Sequence, residues 1–209
     1  CIRDSMTGMS TALTKIGWDL TVLVAKSFEN EVELFKKLSM SKNLSGLIIS
    51  RTLRNDERFK ILTDLKIPFV AHGRSINCSN SSWLDVDNER AFFDMTKHFV
   101  SLGHRKIAHI CGPNVYNFSI QRIEGWKKAL LESGIQINSE FLQVADLSFD
   151  GGKIAMDKLL KLKDLPTAVS CVSDTVAMGA MQSMRNHNLS PGKEISLMGY
   201  DGLELGAWI

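Results

Sequence analysis

The 209 residues carry 25 Lys and Arg against 23 Asp and Glu, a formal net charge of +2, and are 44% hydrophobic. That composition is ordinary for a globular protein and long enough for one large domain or two lobes of about 100 residues each. With basic residues scattered and no run of the ~18 apolar residues that a membrane helix needs, neither nucleic acid nor a bilayer is an expected direct partner of this stretch.

In chain order, Met6, Met9, Leu13 and Ile16 recur at helical spacing and Gly17 closes that helix. Residues 19–24 read as a strand, a charged helix is expected over 31–40, and Gly46-Leu47-Ile48-Ile49-Ser50 is a short apolar strand. A helix fits 56–65, strands fit 67–71 and 83–86, and Asp87-Asn88 supplies the N-cap of a helix carrying Phe92, Met95, Phe99 and Leu102. Gly103 ends it, because glycine takes the left-handed position past a helix end without steric cost. A strand over 107–111 stops at Gly112-Pro113. Helices over 118–133, 150–162 and from Ser173-Asp174 onward then alternate with strands at 141–145, 166–172 and 195–200. Such alternation means parallel sheets with helices on both faces, an α/β fold of about eight strands in one wide sheet or two smaller ones. The chain opens in a helix with no strand before it and stops before any closing helix, so it reads as the middle of a longer protein.

Catalytic and metal signatures are missing. There is no G-x-S-x-G, H-E-x-x-H, P-loop or G-x-G-x-x-G. An enzyme, a cofactor and a metal site are therefore not expected. His104 and His109 lie across a helix-to-strand turn and share no helix face. Asp85 and Asp87 are explained by a strand end and a helix cap. Cys1, Cys78, Cys111 and Cys171 lack C-x-x-C spacing and fit small buried hydrophobes of a reducing compartment. What remains are polar residues near the carboxyl ends of strands: Arg74, Ser173 and Asp201, with Arg122 on the helix after Gly112-Pro113. Ligands of open parallel sheets collect at those ends, and two guanidinium groups, a hydroxyl and a carboxylate suit a sugar or a similar polar molecule. Arg122 is expected to line a cavity without supporting the core.

Five phrases carry a family likeness. Leu102-Gly103-His104-Arg105-Lys106-Ile107-Ala108 runs on to Gly112-Pro113; Val86-Asp87-Asn88 precedes a helix; Arg122-Ile123-Glu124-Gly125-Trp126 follows. Ser173-Asp174-Thr175-Val176-Ala177-Met178-Gly179-Ala180 and Ile195-Ser196-Leu197-Met198-Gly199-Tyr200-Asp201 complete the series. In this order and separation the chain resembles the effector-binding domain of lactose-repressor-type (LacI/GalR) bacterial transcription regulators. The resemblance implies two similar doubly wound lobes of the periplasmic-binding-protein type, residues 1–87 and 88–209, each incomplete here. It implies a cleft for a small effector, a sugar first among candidates, and operator DNA bound through a helix-turn-helix outside this stretch. A cytoplasmic homodimer is expected, with the helix bearing Met178, Met181 and Met184 offered as part of the interface. Arg122 falls where the family's arginine meets the effector, and Leu147 where members often carry a stacking aromatic, a role that Phe118, Tyr116 or Trp83 is able to assume. The expected ligand set is Arg74, Phe118, Arg122, Leu147, Ser173 and Asp201. Ser173 stands in place of the usual Asn, Gly73 where an Asp often precedes Arg74, and Gly202 where a second Asp often follows Asp201. A periplasmic sugar-binding protein of a transporter is the rival reading.

Overall fold

A computed structural model describes residues 2–41, 44–78, 81–204 and 206. Two compact units emerge. One comprises residues 1–47, 57–69 and 202–209, the other 48–56 and 70–201. Helices α1 (Ile2–Thr14), α2 (Phe28–Ser39) and α3 (Arg58–Asp64) belong to the first. Its interior gathers Phe35, Phe59, Leu62 and Ile67. Ser27 caps α2 through its hydroxyl, and Arg58 of α3 pairs with Glu31 of α2 at 3.1 Å. Strands β1 (Leu47–Ser50), β2 (Phe69–His72) and β3 (Ser82–Leu84) form a sheet in that order, β2 and β3 parallel with Ala71 opposite Trp83.

Residues 19–24, expected as a strand, are irregular. Val22, Leu23 and Val24 are exposed, Val24 by 86%. An apolar run becomes a strand only where a neighbour accepts and donates its ladder bonds, and β1 and β2 find theirs elsewhere.

The second unit holds α4 (Asn88–Ser101), β4 (Ile107–Cys111), α5 (Asn117–Glu132), β5 (Leu142–Val144), α6 (Phe149–Leu159), β6 (Ala168–Cys171), α7 (Asp174–Asn186) and β7 (Ser196–Met198). Its four strands are all parallel in the order β5-β4-β6-β7. Every residue of β4 and β6 is buried, which is why both read as continuous apolar runs. Helix α4 packs on α5, and α6 on α7. Glycines set both crossings. A Cβ on Gly125 would meet the Glu89 carbonyl of α4; one on Gly152 the Val176 carbonyl; one on Gly179 the Phe149 carbonyl. Met184 is fully buried here, and Met178 and Met181 are half-buried. Met184 is thus a core residue and leaves the expected interface set.

The turn after α4 explains the Leu-Gly-His phrase. Gly103 sits at φ +94°, and His104 places Nδ1 2.9 Å from Thr167 Oγ1 and Nε2 3.0 Å from Ser196 Oγ. One imidazole thereby ties the approaches to β4, β6 and β7. Cys111 and Cys171 are buried thiols whose pKa values burial raises, Cys111 to about 11, so both are inert.

Candidate ligand site around Arg122

In the four-stranded sheet the chain leaves β4 toward β5 on one side and returns to β6 on the other, so the order reverses between β4 and β6. The crevice outside their carboxyl ends is where an open parallel sheet offers a ligand site. Gly112-Pro113 follows β4 and leads into the first turns of α5; Val172-Ser173 follows β6.

Arg122 spans this point. Its Nη1 donates to the Val172 carbonyl just past β6, and its Nε donates to Asn88 Oδ1 at 2.9 Å. The guanidinium carbon lies 4.2 Å from the centre of the Tyr200 ring, 5.0 Å from Phe118 and 5.3 Å from Phe92. Three aromatic faces around one cation give a favourable electrostatic cage. Only 8% of Arg122 is exposed, and desolvation lowers its pKa against the opposing pull of Tyr200, Asp201 and Asp85. Asp201 is surface-exposed at φ +119°; desolvation raises its pKa while Arg122 lowers it. The expectation that Arg122 lines a cavity without holding the core is corrected. Two hydrogen bonds and three rings tie it into the interior.

Arg74 joins the same network through other residues. Its Nε and backbone N–H both donate to Asp85 Oδ2 at 3.2 Å, and its guanidinium lies 5.3 Å from the Trp83 ring centre. Asp85 Oδ1 accepts from Asn88 Nδ2 at 3.2 Å, which leads back to Arg122. The Arg74 loop is anchored by Thr52, whose hydroxyl donates to the Arg74 carbonyl at 2.9 Å. Gly73 there has φ +114°, and a Cβ would collide with the Thr52 hydroxyl. An Asp at that position would be strained whatever its chemistry.

The other expected ligands have local duties. Ser173 caps α7, its Oγ accepting from the Val176 N–H at 3.3 Å. Leu147 is half-buried, its side chain 2.9 Å from where a Gly112 Cβ would stand. Phe118 is half-buried and stacks on Tyr116 with centroids 5.4 Å apart and planes 14° from parallel. Residues that the sequence reading did not single out as ligand-related are Asn88, Tyr200 and the Val172 carbonyl. The family phrases around Asn88 and Tyr200 were their one signal. A depression of about 580 Å³ on the α4–α5 side is lined by Arg74, Arg90, Phe93 and Lys128 among others. Its cations are already paired, Arg90 with Asp94 and Lys128 with Glu89, so the charge there is spent internally.

Among known families, the one described as periplasmic binding proteins and sugar binding domain of LacI family matches residues 1–207. The chain belongs to this family. It is 36% identical over 181 residues to the HTH-type transcriptional regulator AglR of Rhizobium meliloti, covering 86% of this chain and 51% of that protein. It is 28% identical over 208 residues to the ribose operon repressor of Haemophilus influenzae, covering 99% and 62%. The chain thus spans about half to three-fifths of these relatives. Among solved structures, a regulatory protein of the LacI family from Chloroflexus aggregans superposes with a TM-score of 0.89 at 24% identity, over 97% of this chain and 73% of that one. A transcriptional regulator CelR–cellobiose complex gives 0.87 at 25% identity, over 93% and 60%. The LacI-type α/β fold with parallel sheets is therefore established for this chain, and its named relatives are transcriptional regulators.

Proposed function

We propose that this chain is the effector-sensing part of a cytoplasmic, sugar-responsive repressor that acts as a homodimer and has no catalytic role. The single observation that carries the reading is the caged Arg122 guanidinium at the β4–β6 reversal, with Asp201 among the groups whose charge acts on it. A guanidinium has five N–H donors, and Arg122 directs Nε and one Nη1 hydrogen into the protein, leaving donors for a ligand hydroxyl pair. Asp201 is the matching acceptor. The stacked Tyr116 and Phe118 rings offer a flat apolar face for the C–H side of a pyranose. The ligand set is Arg74, Phe118, Arg122, Leu147, Ser173 and Asp201, with Tyr200 added, Arg74 and Ser173 serving chiefly to shape the rim. The CelR relative is named with cellobiose, a neutral disaccharide, which makes that sugar the first probe. In the same reading the effector acts by its differential affinity for two states of the regulator. Operator DNA is contacted by a helix-turn-helix outside this stretch. Calorimetric titration of the full-length protein with cellobiose and a panel of neutral mono- and disaccharides tests this. Saturable binding that weakens operator affinity supports it, and a panel without binding refutes it.

A further inference from the structure

Arg122 grows from α5, but its direction is set from α4. Asn88, 1% exposed at the start of α4, presents Oδ1 to Arg122 Nε at 2.9 Å. Its Nδ2 faces Asp85 Oδ1 at 3.2 Å, the Val86 carbonyl at 3.1 Å and Gln121 Oε1 at 3.2 Å. Three acceptors around the nitrogen fix the amide in one orientation, so only its oxygen is available to the arginine. Asp85, with 8% of its side chain exposed, uses its remaining oxygen on Arg74. Gly125 makes this reach possible, because α5 crosses α4 so closely that a Cβ would strike Glu89 and Phe93 backbone atoms.

We infer that Asn88, itself oriented by Asp85, is a positioning residue for effector recognition. It turns the Arg122 guanidinium and holds it before the ligand arrives, so that its unspent N–H groups face the ligand in the free protein. The inference rests on the effector site proposed above. A donor already fixed loses little freedom on binding, and the loss of the clamp should therefore appear in affinity. The clamp has a definite polarity: a carboxylate at position 88 with an amide at position 85 preserves an acceptor for Arg122, an acceptor for Arg74 and one donor between the two, while the Val86 carbonyl and Gln121 Oε1 lose their donor.

The test uses ¹⁵N-labelled full-length protein, with the Arg122 Nε–H resonance assigned through Arg122→Lys. In the wild type that proton is expected to exchange slowly with water. Asn88→Ala is expected to bring it into fast exchange, and the exchanged pair D85N/N88D to keep it slow. With whichever probe of the cellobiose-led panel binds wild type, Asn88→Ala should weaken affinity by about tenfold. The exchanged pair should recover part of that loss, and Asn88→Ala should cost less than about twofold when Arg122 is already Ala. An unmoved Arg122 resonance in Asn88→Ala, an unmoved affinity, or equal losses in Asn88→Ala and the exchanged pair would overturn the inference. If no sugar binds wild type, the effector reading fails, while the resonance alone still decides whether Asn88 holds Arg122.

Discussion

Arg122→Ala removes a donor to the Val172 carbonyl, a donor to Asn88 Oδ1 and a cation from among three rings. Hydrogen bonds to a charged group contribute about 1.5–3 kcal/mol each, and the orphaned carbonyl and amide oxygens belong to Val172 and Asn88, both buried. Burial works the other way, since desolvation already depresses the guanidinium pKa, and deleting the charge recovers part of that cost. The net loss is on the order of 2–4 kcal/mol. At about 2–4 °C per kcal/mol for a protein of this size, the melting midpoint falls by about 4–16 °C. Urea unfolding followed by tryptophan fluorescence reads the effect, because Trp126 is fully buried beside the same helix pair. Arg122→Lys should fall between, since an ammonium keeps the charge but lacks the fork that reaches both acceptors. An Ala variant within about 0.5 kcal/mol of wild type would refute the reasoning, because it would mean that neither hydrogen bond is made in solution.

Gly125→Ala must separate α4 from α5, because the clashing atoms are backbone; it should lose about 1–3 kcal/mol in urea unfolding and weaken effector binding at a residue that touches no ligand. His109, fully buried between Phe92 and Trp126, has its pKa lowered from 6.5 to about 3 by desolvation. The unfolded chain binds that proton more readily, so stability falls as pH drops from about 6.5 toward about 3, with a slope of up to about 1.4 kcal/mol per pH unit. His109→Gln should remove this slope when unfolding is measured from pH 7 to pH 4. Ser173→Ala deletes the α7 cap and should cost about 1 kcal/mol, read by the same unfolding assay.

The alternation of helices and strands was legible because each element has its own period and stop. Gly103, Pro113 and the Ser173 cap punctuate the chain where α4, β4 and α7 end or begin. Residues 19–24 were not legible, since hydrophobicity marks a candidate strand but only a ladder partner makes one. Arg122 and Asp201 came from strand-end position and family phrase together, Phe118 only as a substitute for a stacking aromatic at 147, and the structure sets the Phe118 ring 5.0 Å from the Arg122 guanidinium. The network joining them was invisible because its links are non-local. Arg122 meets Asn88 from 34 residues away and Val172 from 50, and no spacing rule connects those positions. Asp85 read as a strand end because its partner Arg74 lies across a loop. Two glycines of the family phrases, Gly125 and Gly179, have a physical reason that one sequence does not display, the close helix crossings at which they sit.

The most direct measurement is calorimetric titration of the sugar panel into wild type and Asp201→Asn, with urea unfolding of both ligand-free forms. Asp201 is exposed and caps none of α1–α7, so the unfolding curves should coincide within about 0.5 kcal/mol. The account predicts a sugar that binds wild type and binds the variant about tenfold or more weakly, because the amide is a poorer acceptor for a hydroxyl facing Arg122. Equal affinities in the two proteins, or no binding by any sugar, would contradict a ligand site at Arg122 and Asp201.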